Sequence, residues 1–168
     1  MSKRVIRVEL TEAGIDRALA ELEKFKKDFL AKCDELIEYL AKQGAITAKG
    51  NVTMMVGHLT GATSTGRLAE SIYWKFDKES RTGIIATDLY YAVFVEYGTG
   101  IVGEANPHPE PTWSYDVNGH GTDGWNYIGE DGKLHWTMGQ ISHPFMYNTY
   151  TELMRTAPDI AKRFFGDL

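Results

Sequence analysis

Cysteine is almost missing from this chain. The single Cys33 among 168 residues excludes an intrachain disulfide, and it denies the chain the paired thiolates of a structural zinc site. It fits a reducing compartment or a thiol held in a core. Long apolar runs are missing too. None approaches the roughly 20 residues needed to span a bilayer, and the opening MSKRVIRVEL contains no apolar signal region. The reading is therefore a soluble, cytoplasmically made chain with no membrane partner. From Thr82 to Gly132 there is no Lys or Arg at all, against eight acidic residues. A surface of that sign repels phosphate, which argues against specific nucleic-acid binding through this half. Residues 1–43, by contrast, carry nine basic and nine acidic side chains. A chain of this length removes about 70% of its unfolded surface from water on folding, enough for one domain over residues 1–168 without metal or disulfide.

What is present is organised by period. Val5 to Leu10 alternate apolar and charged residues, as a short strand does. Thr11 then suits a helix N-cap, with Glu12 and Asp16 near the positive end of the dipole. Ile15, Leu19, Leu22, Phe25, Phe29, Cys33, Leu36 and Leu40 recur at steps of three or four, drawing one apolar stripe along a helix that Gly44 is expected to end. The stripe packs on the domain's own sheet or, in part, meets a neighbouring subunit; Cys33 within it reads as a small buried hydrophobe. Residues 45–64 are weakly patterned and read as a connection. Ser71–Asp77 and Thr82–Thr87 read as two strands joined at Lys78–Arg81. The next run, YYAVFVEYG, suits either a third strand or a short helix after an Asp88 cap.

Nine of the 17 glycines and three of the four tryptophans lie between Gly98 and Gly139. There WNYI and KLHWT flank Gly129-Glu130-Asp131-Gly132, a hairpin pattern. His143-Pro144-Phe145-Met146 leads into a C-terminal helix that Pro158 is expected to interrupt. The fold class is α+β: a long N-terminal amphipathic helix on a small antiparallel sheet, a hairpin insertion over 101–142 and a C-terminal helix.

Several motifs imitate chemistry. Gly98, Gly100 and Gly103 fall on the G-x-G-x-x-G spacing of a dinucleotide turn. That turn needs a strand before it and a helix opening at the glycines, whereas Pro107, Pro109 and Pro111 follow here. Asp116-Val117-Asn118-Gly119-His120-Gly121 resembles an EF-hand start, but Tyr127 stands where the bidentate Glu belongs. His108-Pro109-Glu110 lacks the P-C-x-x-C of zinc deaminases. No nucleophile elbow occurs. A metal-dependent hydrolase built on His108, Asp116, His120 and Asp123 is the weakest alternative. Trp113, Trp125, Tyr127 and Trp136 suit a carbohydrate or cell-surface platform, or else a satellite core or subunit interface. No catalytic set and no cofactor or metal site is assigned, so the chain reads as a non-enzyme.

Three ordered segments resemble one family, the phage tail-completion or head–tail joining (neck, minor tail component) proteins. They are Thr65-Gly66-Arg67-Leu68-Ala69-Glu70-Ser71-Ile72, then Tyr91-Ala92-Val93-Phe94-Val95-Glu96-Tyr97-Gly98-Thr99-Gly100, then Pro144-Phe145-Met146. The long insert between Gly103 and Ser142 departs from the shorter members. The resemblance implies a virion protein at the neck, made in the host bacterial cytoplasm. It implies a ring of six subunits between the head-closure (connector) protein and the tail-tube or tail-terminator protein, with DNA passing unread. Thr65, Gly66, Leu68, Ser71, Tyr91, Ala92, Glu96, Gly98, Thr99, Gly100 and Pro144 then have structural roles. In such a fold Gly98 and Gly100 allow a sharp turn, and a buried Glu96 needs Arg67, Arg81 or a backbone N–H as partner. Trp125, Tyr127, Trp136, Phe145 and Met146 are the expected subunit-interface residues.

Overall fold

The computed structural model describes residues 8–55, 66–113, 116, 119, 122–129 and 131–166. Among them the helices are α1 (Glu12–Met55), α2 (Arg67–Ser71), α3 (Ala92–Tyr97), α4 (Gly100–Ala105) and α5 (Phe145–Phe165). The strands are β1 (Tyr73–Asp77), β2 (Thr82–Ala86), β3 (Trp125–Ile128) and β4 (Leu134–Thr137), which pair as two separate two-stranded sheets, β1 with β2 and β3 with β4. This is the expected α+β class, with a long first helix, two small antiparallel sheets and a C-terminal helix. Two compact units divide the chain, one of Met1–Gly44, Trp74–Ile85 and Glu152–Leu168, the other of Ala45–Tyr73 and Ala86–Thr151.

In the first unit, Thr11 caps α1 as its side-chain chemistry predicts. Its hydroxyl oxygen accepts the Gly14 N–H at 3.1 Å and its carbonyl accepts the Ile15 N–H at 2.9 Å. The strand expected at Val5–Leu10 is not seen at residues 8–10, which are irregular, with Leu10 94% exposed; residues 1–7 lie outside the described residues. There the chain bends back along α1, and Arg17 Nη2 pairs with Glu9 Oε2 at 2.9 Å.

α1 does not end at Gly44. A Cβ on that residue would run into Ile85 Cδ1 and stand 2.9 Å from Leu153 Cδ1. The glycine is there for close approach of helix and sheet, not as a stop signal. Ile37, Leu40, Ala41, Gly83, Ile85 and Leu153 line a shallow apolar cavity of about 160 Å³ beside it. Towards the end of α5, Phe164 meets Tyr39 at 5.5 Å between ring centroids and Phe165 meets Phe29 at 5.3 Å. In the turn between β1 and β2, the Asp77 carboxylate accepts the Glu79 N–H and the Ser80 hydroxyl, and Arg81 takes a left-handed φ of 51°. Arg81 Nε donates to Asp34 Oδ1 at 2.9 Å, tying the turn to α1.

In the second unit the helix carries on through residues 45–55, where a connection was expected. The reason is a stripe of small residues, Ala45, Ala48 and Val52, all buried. Its spacing of three and four is helical, but small side chains make a faint hydrophobic signal. The rest of the expected connection, 56–64, lies outside the described residues. Ser71 closes α2 instead of opening β1: its hydroxyl donates to the Leu68 carbonyl at 2.8 Å and lies 2.7 Å from the Thr87 hydroxyl. The YYAVFVEYG run is a helix, α3, with Tyr91 rather than Asp88 at its N-cap. Asp88 instead accepts the Tyr73 hydroxyl at 3.0 Å.

A helix does open at the glycines. α4 begins at Gly100, and the prolines come only after its end at Ala105. It has six residues, follows helix α3 and not a strand, and so still lacks the frame of a dinucleotide turn. Likewise α5 runs unbroken past Pro158. Packing holds it on both sides of the proline, through Leu153 before and Phe164 and Phe165 after. The carbonyl that loses its N–H partner belongs to Met154, an exposed residue.

Candidate functional site

The second and third segments singled out in the sequence meet at Glu96. This residue sits in α3 and is only 5% exposed. Its carboxylate faces the start of α5, accepting the Met146 N–H on Oε2 at 2.8 Å and the Tyr147 N–H on Oε1 at 2.9 Å. The first N–H groups of a helix have no partner within the helix, and a carboxylate there also meets the positive end of its dipole. Glu96 thus caps α5 from 50 residues away in sequence. Backbone N–H groups fill the role for which Arg67 and Arg81 were also considered; Arg81 is engaged by Asp34.

Oε1 of Glu96 has one more partner, His108 Nε2 at 3.2 Å, and the two side chains are 7% and 5% exposed. The Glu110 N–H donates to His108 Nδ1 at 3.2 Å. In the neutral ring that leaves the proton on Nε2, directed at the carboxylate. Aromatic rings close round the imidazole. Tyr97 lies 4.9 Å away, Tyr147 5.2 Å edge-on, and Trp113 5.6 Å in a stack. Burial, and then the charge of Glu96, push the Tyr97 hydroxyl above its ordinary pKa. Glu110 fixes the approach to Trp113, accepting both the Thr112 hydroxyl at 2.7 Å and its N–H at 3.0 Å. Those bonds, the hydroxyl's first, hold the Glu110 carboxyl below its ordinary value.

Backbone and side chain stitch the same two segments together. His143 N–H donates to Val95 O at 2.8 Å, Gln140 Nε2 to Phe94 O at 2.8 Å, and Ser142 Oγ to Glu96 O at 2.6 Å. Thr99 and Gln140 form an isolated antiparallel bridge, and the Gln140 N–H also reaches Thr99 Oγ1 at 3.2 Å. Gly98 and Gly100 turn the chain here with φ of 79° and 61°. A Cβ at Gly98 would stand 2.7 Å from the Gln140 carbonyl oxygen, and one at Gly100 2.7 Å from the Trp125 ring. These glycines serve a turn and a close approach. Beneath lies Phe145, 1% exposed, with Asn51 Nδ2 donating to its carbonyl at 3.2 Å and to Thr149 Oγ1 at 3.0 Å.

Of the remaining motif residues, Leu68 and Ala92 are buried, Gly66 caps α2 with φ of 76°, and Pro144 O accepts the Asn148 N–H; Thr65 lies outside the described residues. The hairpin is in the expected place, with Trp125 opposite Thr137, Asn126 opposite Trp136, Tyr127 opposite His135 and Ile128 opposite Leu134. This register puts Trp125 and Tyr127 on one face and Trp136, Ile128 and Leu134 on the other. Trp113 belongs to the His108 cluster. Trp113, Trp125, Tyr127 and Trp136, which suit a sugar platform by residue type, are therefore not brought together on one face. Trp136 is 63% exposed, and Ile128, Leu134 and Tyr127 are exposed too, whereas Met146 is half-buried and Phe145 is wholly inside its own subunit. Among the described residues no three His, Cys, Asp or Glu side chains are grouped to hold a metal, and His120 lies outside them. No local sequence pattern points to His108, Ser142, Gln140, Asn51 and Thr149 as parts of this site, because their partners lie far away in sequence.

Residues 16–98 match the family model described as "Bacteriophage HK97-gp10, putative tail-component". Over these residues the chain is similar to that phage tail-component family. The matched stretch runs from the first turns of α1 to Gly98. It contains Glu96 and most of the first two motif segments, and it stops short of the hairpin and of Pro144-Phe145-Met146. No curated protein and no solved structure matches the chain. A tail component is a structural virion protein. Among the described residues no helix is long and apolar enough to cross a membrane.

Proposed function

We propose that this tail component works at the neck, where six copies close into a ring joining the tail tube to the head-closure complex and let DNA pass. The observation that carries the reading is the pairing of a rigid frame with an unsatisfied surface. Glu96, capping α5 and clasped by His108, locks the family motif to the last helix. Beside it in the chain, the hairpin offers Ile128, Leu134 and Trp136 to solvent on one face. A ring needs two different patches on each subunit, related by a rotation that closes. The outward hairpin face supplies one of them, with Tyr127 and Trp125 on its reverse side and Met146 at the α5 corner. The stretch from Thr82 to Gly132, free of Lys and Arg, suits a lumen along which phosphates slide without sticking.

The test is the mass of the purified protein by light scattering behind a sizing column, with negative-stain images, repeated after adding tail tubes. Hollow rings, alone or on tube ends, are expected. A protein that stays monomeric and ignores tube ends at high concentration would overturn the neck reading.

A further inference from the structure

The segment from Asn106 to Trp113 is strapped to its own subunit by side chains alone. Pro107, Pro109 and Pro111 have no N–H to donate. The backbone hydrogen bonds of the segment stay local, from Asn106 N–H to Gly103 O at 3.1 Å and from Trp113 N–H to Glu110 O at 3.2 Å. Among the described residues no backbone–backbone bond joins it to α3 or α5. Two rings hold it instead. His108 packs on Tyr97 and Tyr147, with Nε2 at the Glu96 carboxylate. Trp113 meets Tyr147 edge-on at 5.5 Å and Tyr150 at 6.0 Å between ring centroids.

The strap therefore has a seat: the Glu96 carboxylate and three tyrosines carried by α3 and α5. Its hold is four ring contacts and one hydrogen bond, so the rings dominate it. The seat does not depend on the strap. Glu96 still receives the Met146 and Tyr147 N–H groups when His108 is gone, so α3 and α5 stay joined. Ring closure needs two different patches that fit each other. Strap and seat are such a pair, already fitted within one chain.

We infer that in the assembled ring each strap leaves its own seat for that of the next copy, so that His108 and Trp113 of one subunit pack on the tyrosines of its neighbour. This rests on the neck reading and names the contact that closes the ring. In dilute solution the chain's own strap wins, because an attached segment competes at an effective concentration on the order of millimolar. Within a ring the neighbour's strap is held as close, and exchange keeps every contact of the seat. Reach sets a limit on the geometry. Three residues separate His108 from Ala105, where α4 ends, and they span about 10 Å, so exchange moves His108 by about 20 Å at most. Neighbours in a six-fold ring stand as far apart as each stands from the axis, which places the seats within about 20 Å of it.

Cross-linking of the full-length protein tests the exchange. In a Cys33→Ser background, Thr112→Cys beside Trp113 and Thr151→Cys beside Tyr150 are joined with a short bis-maleimide, and circular dichroism checks the fold. Dilute protein is expected to give the intramolecular link only. Rings, alone or on tail-tube ends, are expected to give a ladder of linked chains while the intramolecular product disappears. Adding His108→Ala and Trp113→Ala should abolish the ladder. Trp113→Ala alone, which keeps the His108–Glu96 pair, should weaken it. Rings that give only the intramolecular link overturn the exchange and leave the neck reading intact. A ladder that survives loss of both strap rings overturns it as well, because the link then reports proximity without exchange. A protein that forms no ring and ignores tube ends overturns the neck reading, and the exchange with it.

Discussion

Glu96 shows how one side chain can decide the placement of a helix. Its carboxylate satisfies two N–H groups that α5 cannot satisfy itself, and it does so while buried. Charge-assisted hydrogen bonds of this kind contribute roughly 1.5–3 kcal/mol each, and orphaning a buried donor costs a similar amount. Glu96→Ala is therefore expected to lower stability by about 3 kcal/mol, seen as a lower urea midpoint. Glu96→Gln keeps one acceptor oxygen but loses the charge, and should fall about halfway. Equal midpoints for wild type and Glu96→Ala would mean the cap has no energetic weight. Glycines give a second test at this scale, because two in the same helix should respond with opposite signs. Around Gly50 a Cβ would meet nothing within 4 Å, so Gly50→Ala should stabilise by up to about 1 kcal/mol through helix propensity. Gly44→Ala gains the same propensity but drives a methyl group into Ile85 and Leu153. Overpacking of that kind costs roughly 1–3 kcal/mol, so the urea midpoint should drop. A rise in both variants would show that Gly44 is not at a close-packed contact.

At the scale of elements, the β3–β4 hairpin is the piece most dependent on its own turn. Asp131 accepts His135 Nε2 at 2.9 Å and the Lys133 N–H at 3.0 Å. These bonds, the His135 one first, hold its carboxyl below the ordinary 3.8. A carboxyl with a lowered folded value stabilises the fold above its unfolded value, and that contribution is lost as pH falls through the folded value. The hairpin turn should thus loosen in acid below about pH 3.8, read from the Lys133 amide resonance or Trp136 fluorescence. Asp131→Asn should remove this step, and identical acid profiles for the two proteins would sink the idea. The hairpin was also among the most legible elements in the sequence, since strand residues flank a Gly-Glu-Asp-Gly turn. The start of α1 was legible as well, because Thr11 caps it with a local bond. What misled was residue type taken without its surroundings. Gly44 and Pro158 are helix breakers by propensity, yet tertiary packing overrides both. Residues 45–55 hid a helix because its buried face is alanine and valine. The Glu96 clasp was legible only as a need for a partner. Its answer lies in backbone N–H groups 50 residues on, which no local pattern can point to.

On the scale of the whole molecule, folding and assembly should separate by position. Interior groups such as Glu96 and Phe145 govern whether a subunit exists, while exposed groups govern what it joins. Trp136 decides between these roles because 63% of it remains in solvent and the rest rests on Gly124. Truncation of a surface residue away from strain or caps usually changes stability by no more than about 0.5 kcal/mol. A buried aromatic at an interface, by contrast, contributes 2 kcal/mol or more to binding, on the order of thirtyfold in affinity. Trp136→Ser is therefore expected to keep the wild-type urea midpoint and circular dichroism while losing attachment to tail-tube ends, scored by negative stain or co-sedimentation. Glu96→Ala should show the reverse order: a weakened fold, with tail-end binding retained at temperatures where the subunit is still folded. If Trp136→Ser binds tube ends as well as the wild type, the hairpin is not the joining surface, and the second patch must be sought on the Met146 corner. If it unfolds instead, the indole belongs to the subunit's own core. Either result would relocate the contact without touching the match of residues 16–98 to the tail-component family, because the hairpin lies outside the matched stretch.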